Sequence, residues 1–247
     1  MFPFNANILI FDSYGEYQSA FRRINEVNSA YHFKYYSTEP DGAEATRLKL
    51  PVWLMGIEDV ALLLQATEHE QLMIIERALD LTYIFAMGDE ISNKYKNHLI
   101  AKAIMSILYS NQTSASKRND VFNLLQNCST PEFSLNSQVQ GIGYVREFKD
   151  CFVINSDGSF AESVLLTEYV NSFIKDELDK YEAPEKKEFN LIDFEKGLNF
   201  ALIGEGILNN ERTYSAGIML KVKTHSLVIG PYKKYFDLDS FIDLDHY

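Results

Sequence analysis

Apolar residues recur at helical spacing through most of this chain, and that pattern constrains its fold more than any other feature. In seven segments they lie three and four positions apart, as they do on one face of an α-helix. The predicted helices cover residues 57–66, 70–86, 91–110, 116–128, 161–180, 191–208 and 213–228. Short connectors between such helices are typical of an up-down bundle. We therefore expect a mostly α fold.

A different pattern precedes this helical region. Residues 7–12 are a continuous apolar run too short for a helix, and they predict a buried strand. Helical spacing from Glu16 to Val27 and alternation over residues 31–37 predict a helix and a second strand. Strand, helix and strand in this order form one right-handed crossover of a parallel sheet. The fold class predicted for the whole chain is thus mostly α (α+β).

The charge and cysteine content exclude several functions and compartments. The formal net charge is −12, which opposes non-specific binding to nucleic acids and anionic membranes. Cys128 and Cys151 lie outside any C-x-x-C pair, and the five histidines are scattered, so we expect no metal site and a reducing compartment. No apolar run approaches the roughly 20 residues of a membrane span. We expect a cytoplasmic protein without a signal peptide and without membrane contact.

The glycines do not form a phosphate-binding loop. A P-loop requires G-x-x-x-x-G-K-[ST], and none of the twelve glycines has that spacing. The pairs at 141–143 and 204–206 do not continue as G-x-G-x-x-G. We therefore expect that this chain by itself binds no ATP and is catalytically inactive.

Three segments nevertheless resemble one family of ATPases. The first, "ILIFDSYGEYQSAF" (8–21), is similar to the second-strand motif of HerA-type ATPases in the HerA–FtsK superfamily of DNA translocases, where an apolar strand runs into Asp-x-His-Gly-Glu-Tyr. "LKLPVWLMGIEDVALLL" (48–64), followed by "ATEHEQLMIIERALDL" (66–81), resembles the entry into the family's helical insertion. "LKVKTHSLVIGPYKKYFD" (220–237) resembles the segment that leaves it.

The first segment matches the family motif at four positions and departs from it at one. Asp12, Gly15, Glu16 and Tyr17 agree with the motif, whereas Tyr14 stands at the histidine position. This departure puts any role of the histidine side chain in doubt.

The resemblance implies an internal segment of a larger motor. Residues 1–55 would be part of a RecA-like ATPase core, 56–212 the helical bundle insertion, and 213–247 the return to the core. The phosphate loop and the elements beyond the insertion would lie outside these residues. The intact protein would use ATP and Mg²⁺, form a hexamer, translocate or unwind double-stranded DNA, and act with a nuclease.

Asp12 and Glu16 are the candidate catalytic residues of the intact ATPase. At the carboxyl end of a strand and the start of a helix, they would face the crevice where phosphates and Mg²⁺ collect in open α/β sheets. The alternative is structural: Asp12 caps the turn, and Glu16 stabilises the helix start by about 0.3–1 kcal/mol through the helix dipole.

The candidate DNA-binding residues are Lys221, Lys223, Lys233 and Lys234, which form a basic segment in an acidic chain. Their alternative role is to stabilise the end of a helix.

The alternative for the whole chain is a stand-alone helical protein–protein interaction module with a degenerate ATPase remnant. A small-molecule pocket between helices also remains open. We further expect that an unpaired strand edge would lead to dimerisation or to a rearranged N-terminal segment.

Overall fold

The computed structural model describes residues 8–28, 33–41, 45–180, 188–204 and 211–236. Helices dominate these residues and the sheets are small, so the predicted mostly α (α+β) class is confirmed. The chain divides into two compact units, Met1–Leu50 and Pro51–Tyr247. The domain boundaries implied by the resemblance, after residues 55 and 212, stay predictions.

The described residues of the first unit form two short helices and one pair of short strands. Helix α1 is Tyr17–Phe21, α2 is Ile24–Val27, β1 is Tyr36–Ser37 and β2 is Thr46–Arg47. The strands are parallel, and the Thr46 N–H donates to the Tyr35 carbonyl oxygen at 2.9 Å. The Phe21 and Phe33 rings stack with their centroids 6.0 Å apart. The predicted helix is therefore present in two pieces. Of the second strand predicted over residues 31–37, residues 31 and 32 lie outside the described part, and only Tyr36 and Ser37 of the described residues form a strand.

The strand predicted over residues 7–12 is wrong for the described residues 8–12, and residue 7 lies outside the described part. Residues 8–12 have no regular secondary structure, and Ile8, Leu9 and Phe11 are each more than four-fifths exposed. A strand in a parallel sheet needs neighbours and covering helices to bury its apolar residues. Here β1 pairs with β2 instead, so the predicted crossover unit does not form. The expected dimerisation or rearrangement of the N-terminal segment stays a prediction.

In the part of the second unit that the structure describes, there are longer helices and one β-hairpin. Its helices are α3 (Ile57–Leu63), α4 (His69–Ala86), α5 (Glu90–Tyr109), α6 (Ser114–Cys128), α7 (Ser163–Asn171), α8 (Leu191–Asn199) and α9 (Glu211–Ile229). A π-helical turn, Phe200–Gly204, continues α8. The antiparallel hairpin of β3 (Gln138–Gly141) and β4 (Tyr144–Glu147) lies between the helices predicted over 116–128 and 161–180. Asp89, Thr113 and Asn190 cap α5, α6 and α8 by accepting backbone N–H groups.

One continuous apolar core joins α5, α6 and α7 to the hairpin region. Ile100, Ile104 and Leu124 are fully buried in this core. Beside them, the rings of Phe133 and Phe173 stack at 4.3 Å between centroids. Such aromatic pairs add about 0.5–1.5 kcal/mol beyond the burial of their area. The helical unit therefore buries a core of its own.

The helix predicted over 161–180 is wrong in length, because α7 ends at Asn171. A short 3₁₀ helix, Asp176–Lys180, replaces the predicted continuation. His98, only 1% exposed on α5, accepts the Lys175 backbone N–H through Nδ1 at 3.1 Å. Its Nε2 lies 2.9 Å from Asp179 Oδ1. In a continued α-helix the Lys175 N–H would donate to the Asn171 carbonyl oxygen. Here it donates to His98 Nδ1 instead.

Helices α8 and α4 make close backbone contact. Gly197 lies directly on the α4 backbone: a Cβ at this position would be 2.6 Å from both the Ala78 carbonyl oxygen and Thr82 Oγ1. Phe194 and Leu198 are buried on either side of the glycine. The absence of a side chain at 197 is thus what lets α8 approach α4.

We predict that Gly197→Ala destabilises the protein by about 3 kcal/mol, because the new methyl group forces the two backbones apart. Urea unfolding followed by circular dichroism measures the change. Gly88→Ala is the matched control, since a Cβ there meets nothing within 4 Å. Equal stability of the two variants would contradict the close approach.

Candidate functional site

Asp12 organises the turn that contains the Asp-Ser-Tyr-Gly-Glu-Tyr motif. Its Oδ1 accepts the Gly15 N–H at 2.9 Å and the Tyr14 N–H at 3.3 Å, and its Oδ2 accepts the Tyr17 N–H at 2.8 Å. Both carboxylate oxygens are therefore used by the backbone of the motif. This is the capping role that was the structural alternative for Asp12.

Gly15 supplies the backbone conformation that closes the turn around Asp12. Its φ of +72° lies in the left-handed region, which glycine adopts without the steric cost of a Cβ. The pairing of Asp12 with Gly15 in the motif thus has a local reason. The Asp12 carboxylate accepts the backbone N–H groups of the turn, and the left-handed backbone of Gly15 directs those groups toward it.

The electrostatics of Asp12 follow from these hydrogen bonds. Partial desolvation acts to raise the pKa of the carboxyl group, but the backbone N–H groups of Tyr17, Glu16, Tyr14 and Gly15 outweigh it. The net effect is a pKa below the ordinary value, because hydrogen bonds to the charged form favour that form. The Asp12 carboxyl group is therefore ionised at neutral pH.

Glu16 differs from Asp12 in the use of its side chain. It is exposed at the start of α1, and its backbone carbonyl accepts the Ser19 hydroxyl at 3.1 Å. No described residue hydrogen-bonds to its carboxylate. Of the two predicted catalytic acids, Glu16 is the one whose oxygens remain open to a cation or water. Catalysis by either residue stays a prediction.

Two of the four predicted DNA-binding lysines contact other groups of the protein. The Lys223 ammonium donates to the carbonyl oxygens of Leu64, at 2.7 Å, and Gln65, at 3.3 Å. It thereby caps the end of α3, where Gln65 takes a φ of 51°. Lys234 lies over the ring of Tyr235, with Nζ 5.1 Å from the centroid. DNA contact by Lys221, Lys223, Lys233 and Lys234 stays a prediction.

Lysines at helix C-termini are a recurrent feature that the sequence patterns missed. Lys96 donates to the Met87 carbonyl at the end of α4, and Lys117 donates to the Leu108 carbonyl near the end of α5 at 2.7 Å. Lys223 does the same for α3 from a distant part of the chain. Carbonyl groups at a helix C-terminus lack intrahelical partners and carry partial negative charge, which a cation satisfies. A spacing of nine residues between each lysine and its carbonyl was the available signal for the first two.

A metal cluster and a membrane-spanning helix are both absent from the described part of the chain. Its His, Cys, Asp and Glu side chains form no group of three or more that could hold a metal ion. Within the same ranges, no helix combines the length and apolar composition needed to cross a bilayer. Both cysteines are fully buried, and burial raises the pKa of Cys128 to about 12 and that of Cys151 to about 11.

One family of known proteins matches more than half of this chain. The family model described as the central domain of helicase HerA matches residues 4–139, which is more than half of the chain. The matched region includes the Asp12–Tyr17 motif and helices α3 to α6. A search among curated proteins and a search among solved structures each returned no match.

We predict that the amide signals of Tyr14, Gly15 and Tyr17 titrate with a midpoint below 3.8, the ordinary pKa of an aspartate. Because the folded pKa is lowered, the turn is stabilised above that value and loses this stabilisation as the pH falls through the folded pKa. Two-dimensional NMR of the amides measures the midpoint. Asp12→Ala should abolish the titration, and Glu16→Gln should leave it in place. A midpoint at or above 3.8 would show that the hydrogen bonds do not hold the turn.

We also predict that Lys223→Met destabilises the protein by about 1–2 kcal/mol, because two carbonyl oxygens lose a charged donor. Thermal unfolding measures the difference. Lys233→Met serves as the control, since Lys233 is exposed on the short 3₁₀ helix Pro231–Tyr235. If both variants lose the same stability, Lys223 is not acting as a cap.

Proposed function

Because the chain belongs to the family of the HerA helicase central domain, we propose that it forms part of a P-loop ATPase that translocates or unwinds double-stranded DNA. The observation that supports this most directly is the family match over residues 4–139, which includes the Asp12–Tyr17 motif. The same proposal includes a cytoplasmic, hexameric assembly and a nuclease partner. The cytoplasmic location, the hexamer and the nuclease partner are inferred from the family resemblance alone.

Under this proposal the two acids of the motif have different tasks. Asp12 is a positioning residue, because its oxygens are already bound to the N–H groups of Tyr14, Gly15 and Tyr17. Glu16 is the group available to orient Mg²⁺ or the attacking water, since its carboxylate is exposed. An ATPase gains most of its rate from such positioning and charge stabilisation around the phosphates.

In this proposal the phosphates of ATP are held by a part of the motor that lies beyond these 247 residues. The chain contains no G-x-x-x-x-G-K-[ST] sequence, and none of its glycines has the spacing of an equivalent loop. ATP and Mg²⁺ therefore belong to the intact ATPase. This chain by itself is proposed to be inactive.

A helical protein–protein interaction module is the second candidate function. It is favoured by the second unit, which buries its own core of α5, α6 and α7 side chains. It is also favoured by residues 8–12, which form no strand of an ATPase sheet. In this alternative, the Asp12 turn is retained only for its structure.

The test begins with the DNA on both sides of the coding sequence, where the ATPase proposal expects an in-frame G-x-x-x-x-G-K-[ST]. In the protein that this frame encodes, Glu16→Gln should lower DNA-stimulated ATP hydrolysis by about 100-fold or more, because an acid that orients water contributes on that scale. Binding of a fluorescent ATP analogue should persist.

Glu26→Gln is the matched control, since Glu26 is an exposed acid of the same unit on α2. Full hydrolysis by the Glu16 variant would contradict the assigned role. A reading frame without a phosphate loop, together with no hydrolysis, would instead support the interaction module.

A further inference from the structure

Helix α9 and the short 3₁₀ helix after it carry a charge opposite to that of the chain. From Thr213 to Phe236 there are four lysines and one histidine, and there is no aspartate or glutamate. The chain as a whole has a net charge of −12. This segment is therefore a long basic stretch in an acidic protein.

The exposed face of α9 is apolar, and the side chains that flank it, Lys223 and His225, are paired within the protein. Its exposed seam follows the alternating four-and-three spacing of one face of a coiled-coil helix. The seam residues are Ser215, Met219, Val222, Ser226 and Ile229. Met219 is 49%, Val222 57% and Ile229 68% exposed. On the opposite side, Ala216, Leu220 and Thr224 are buried where α9 packs against α4 and α8.

The geometry of this α9 seam fits a helix better than it fits a nucleic acid. From Met219 to Ile229 it extends for about 15 Å, or nearly three turns, which matches the apolar stripe of an amphipathic partner. The two serines let another backbone approach closely. DNA binding would instead require free cations, yet the Lys223 ammonium is hydrogen-bonded to Leu64 and Gln65.

We propose that the α9 seam docks an acidic amphipathic helix of a partner protein. Apolar residues of that helix would cover Met219, Val222 and Ile229, and its acidic flanks would face Lys221 and Lys233. Charge complementarity selects this partner, because the stretch has four lysines and no acid of its own, and Glu195 of α8, which contacts it, is already paired with His225 at 2.7 Å. A second copy of α9 fits poorly, because like charges would face each other across the seam.

The experiment uses two synthetic helical peptides with leucine at the a and d positions of three heptads. One has glutamate at the flanking e and g positions, and its twin has lysine there. Fluorescence anisotropy measures the binding of each to the whole chain. We expect the acidic peptide to bind at least about 10-fold more tightly than its basic twin, with the preference reduced by salt.

Met219→Glu should weaken binding of the acidic peptide by at least about 10-fold, because it places a like charge in the seam. Met73→Glu is the matched control, since Met73 is 57% exposed on α4 and outside the seam. Circular dichroism confirms that both variants are folded. The effect is independent of the ATPase proposal, because it requires neither nucleotide nor DNA.

Three results would overturn the proposal. Equal binding of the two peptides would show that charge does not select the partner, and equal binding to both methionine variants would place the peptide elsewhere. The third is tight binding of a short DNA duplex that is lost in Lys221→Ala and Lys233→Ala and displaces the peptide. That result would assign the surface to nucleic acid instead.

Discussion

The contact between α8 and α4 at Gly197 is the constraint on which the second unit depends. With no side chain at this position, the α8 backbone lies against the Ala78 carbonyl and Thr82 of α4. Close approach buries Phe194 and Leu198 and brings α9 against both helices. Protein interiors are packed as densely as organic crystals, so one methyl group at such a contact displaces whole helices.

Helix C-termini impose a second constraint, because their carbonyl groups lack hydrogen-bond partners within the helix. In this acidic protein, lysine side chains act as donors to several of these carbonyl groups. Lys96, Lys117 and Lys223 each donate to a carbonyl at or near the end of another helix. A basic residue in such a chain therefore needs a structural explanation before a functional one. For Lys223 the structural contact is direct, because its ammonium group donates to the Leu64 and Gln65 carbonyl oxygens.

The motif of the first unit shows how one local structure serves two proposed purposes. Asp12 gathers the backbone N–H groups of the turn, and Gly15 permits the left-handed backbone that brings them together. Glu16 is then held at the start of α1 with its carboxylate exposed. Under the proposed ATPase function, Asp12 holds the turn and thereby positions the exposed carboxylate of Glu16.

The sequence by itself determined the helical character of the chain, the family, and the motif from Asp12 to Tyr17, because all three depend on local spacing or on a short run of residues. It predicted α4, α5 and α6 to within two residues at each end. Only the tertiary structure decided that α7 ends early, since buried His98 takes the Lys175 N–H from a distant helix. It also decided that residues 8–12 are not a strand and that Lys223 caps α3. Strand pairing, helix ends and the hydrogen-bond partners of lysines depend on groups that are far apart in the chain. Hydrophobic periodicity is a local pattern, so it cannot predict them.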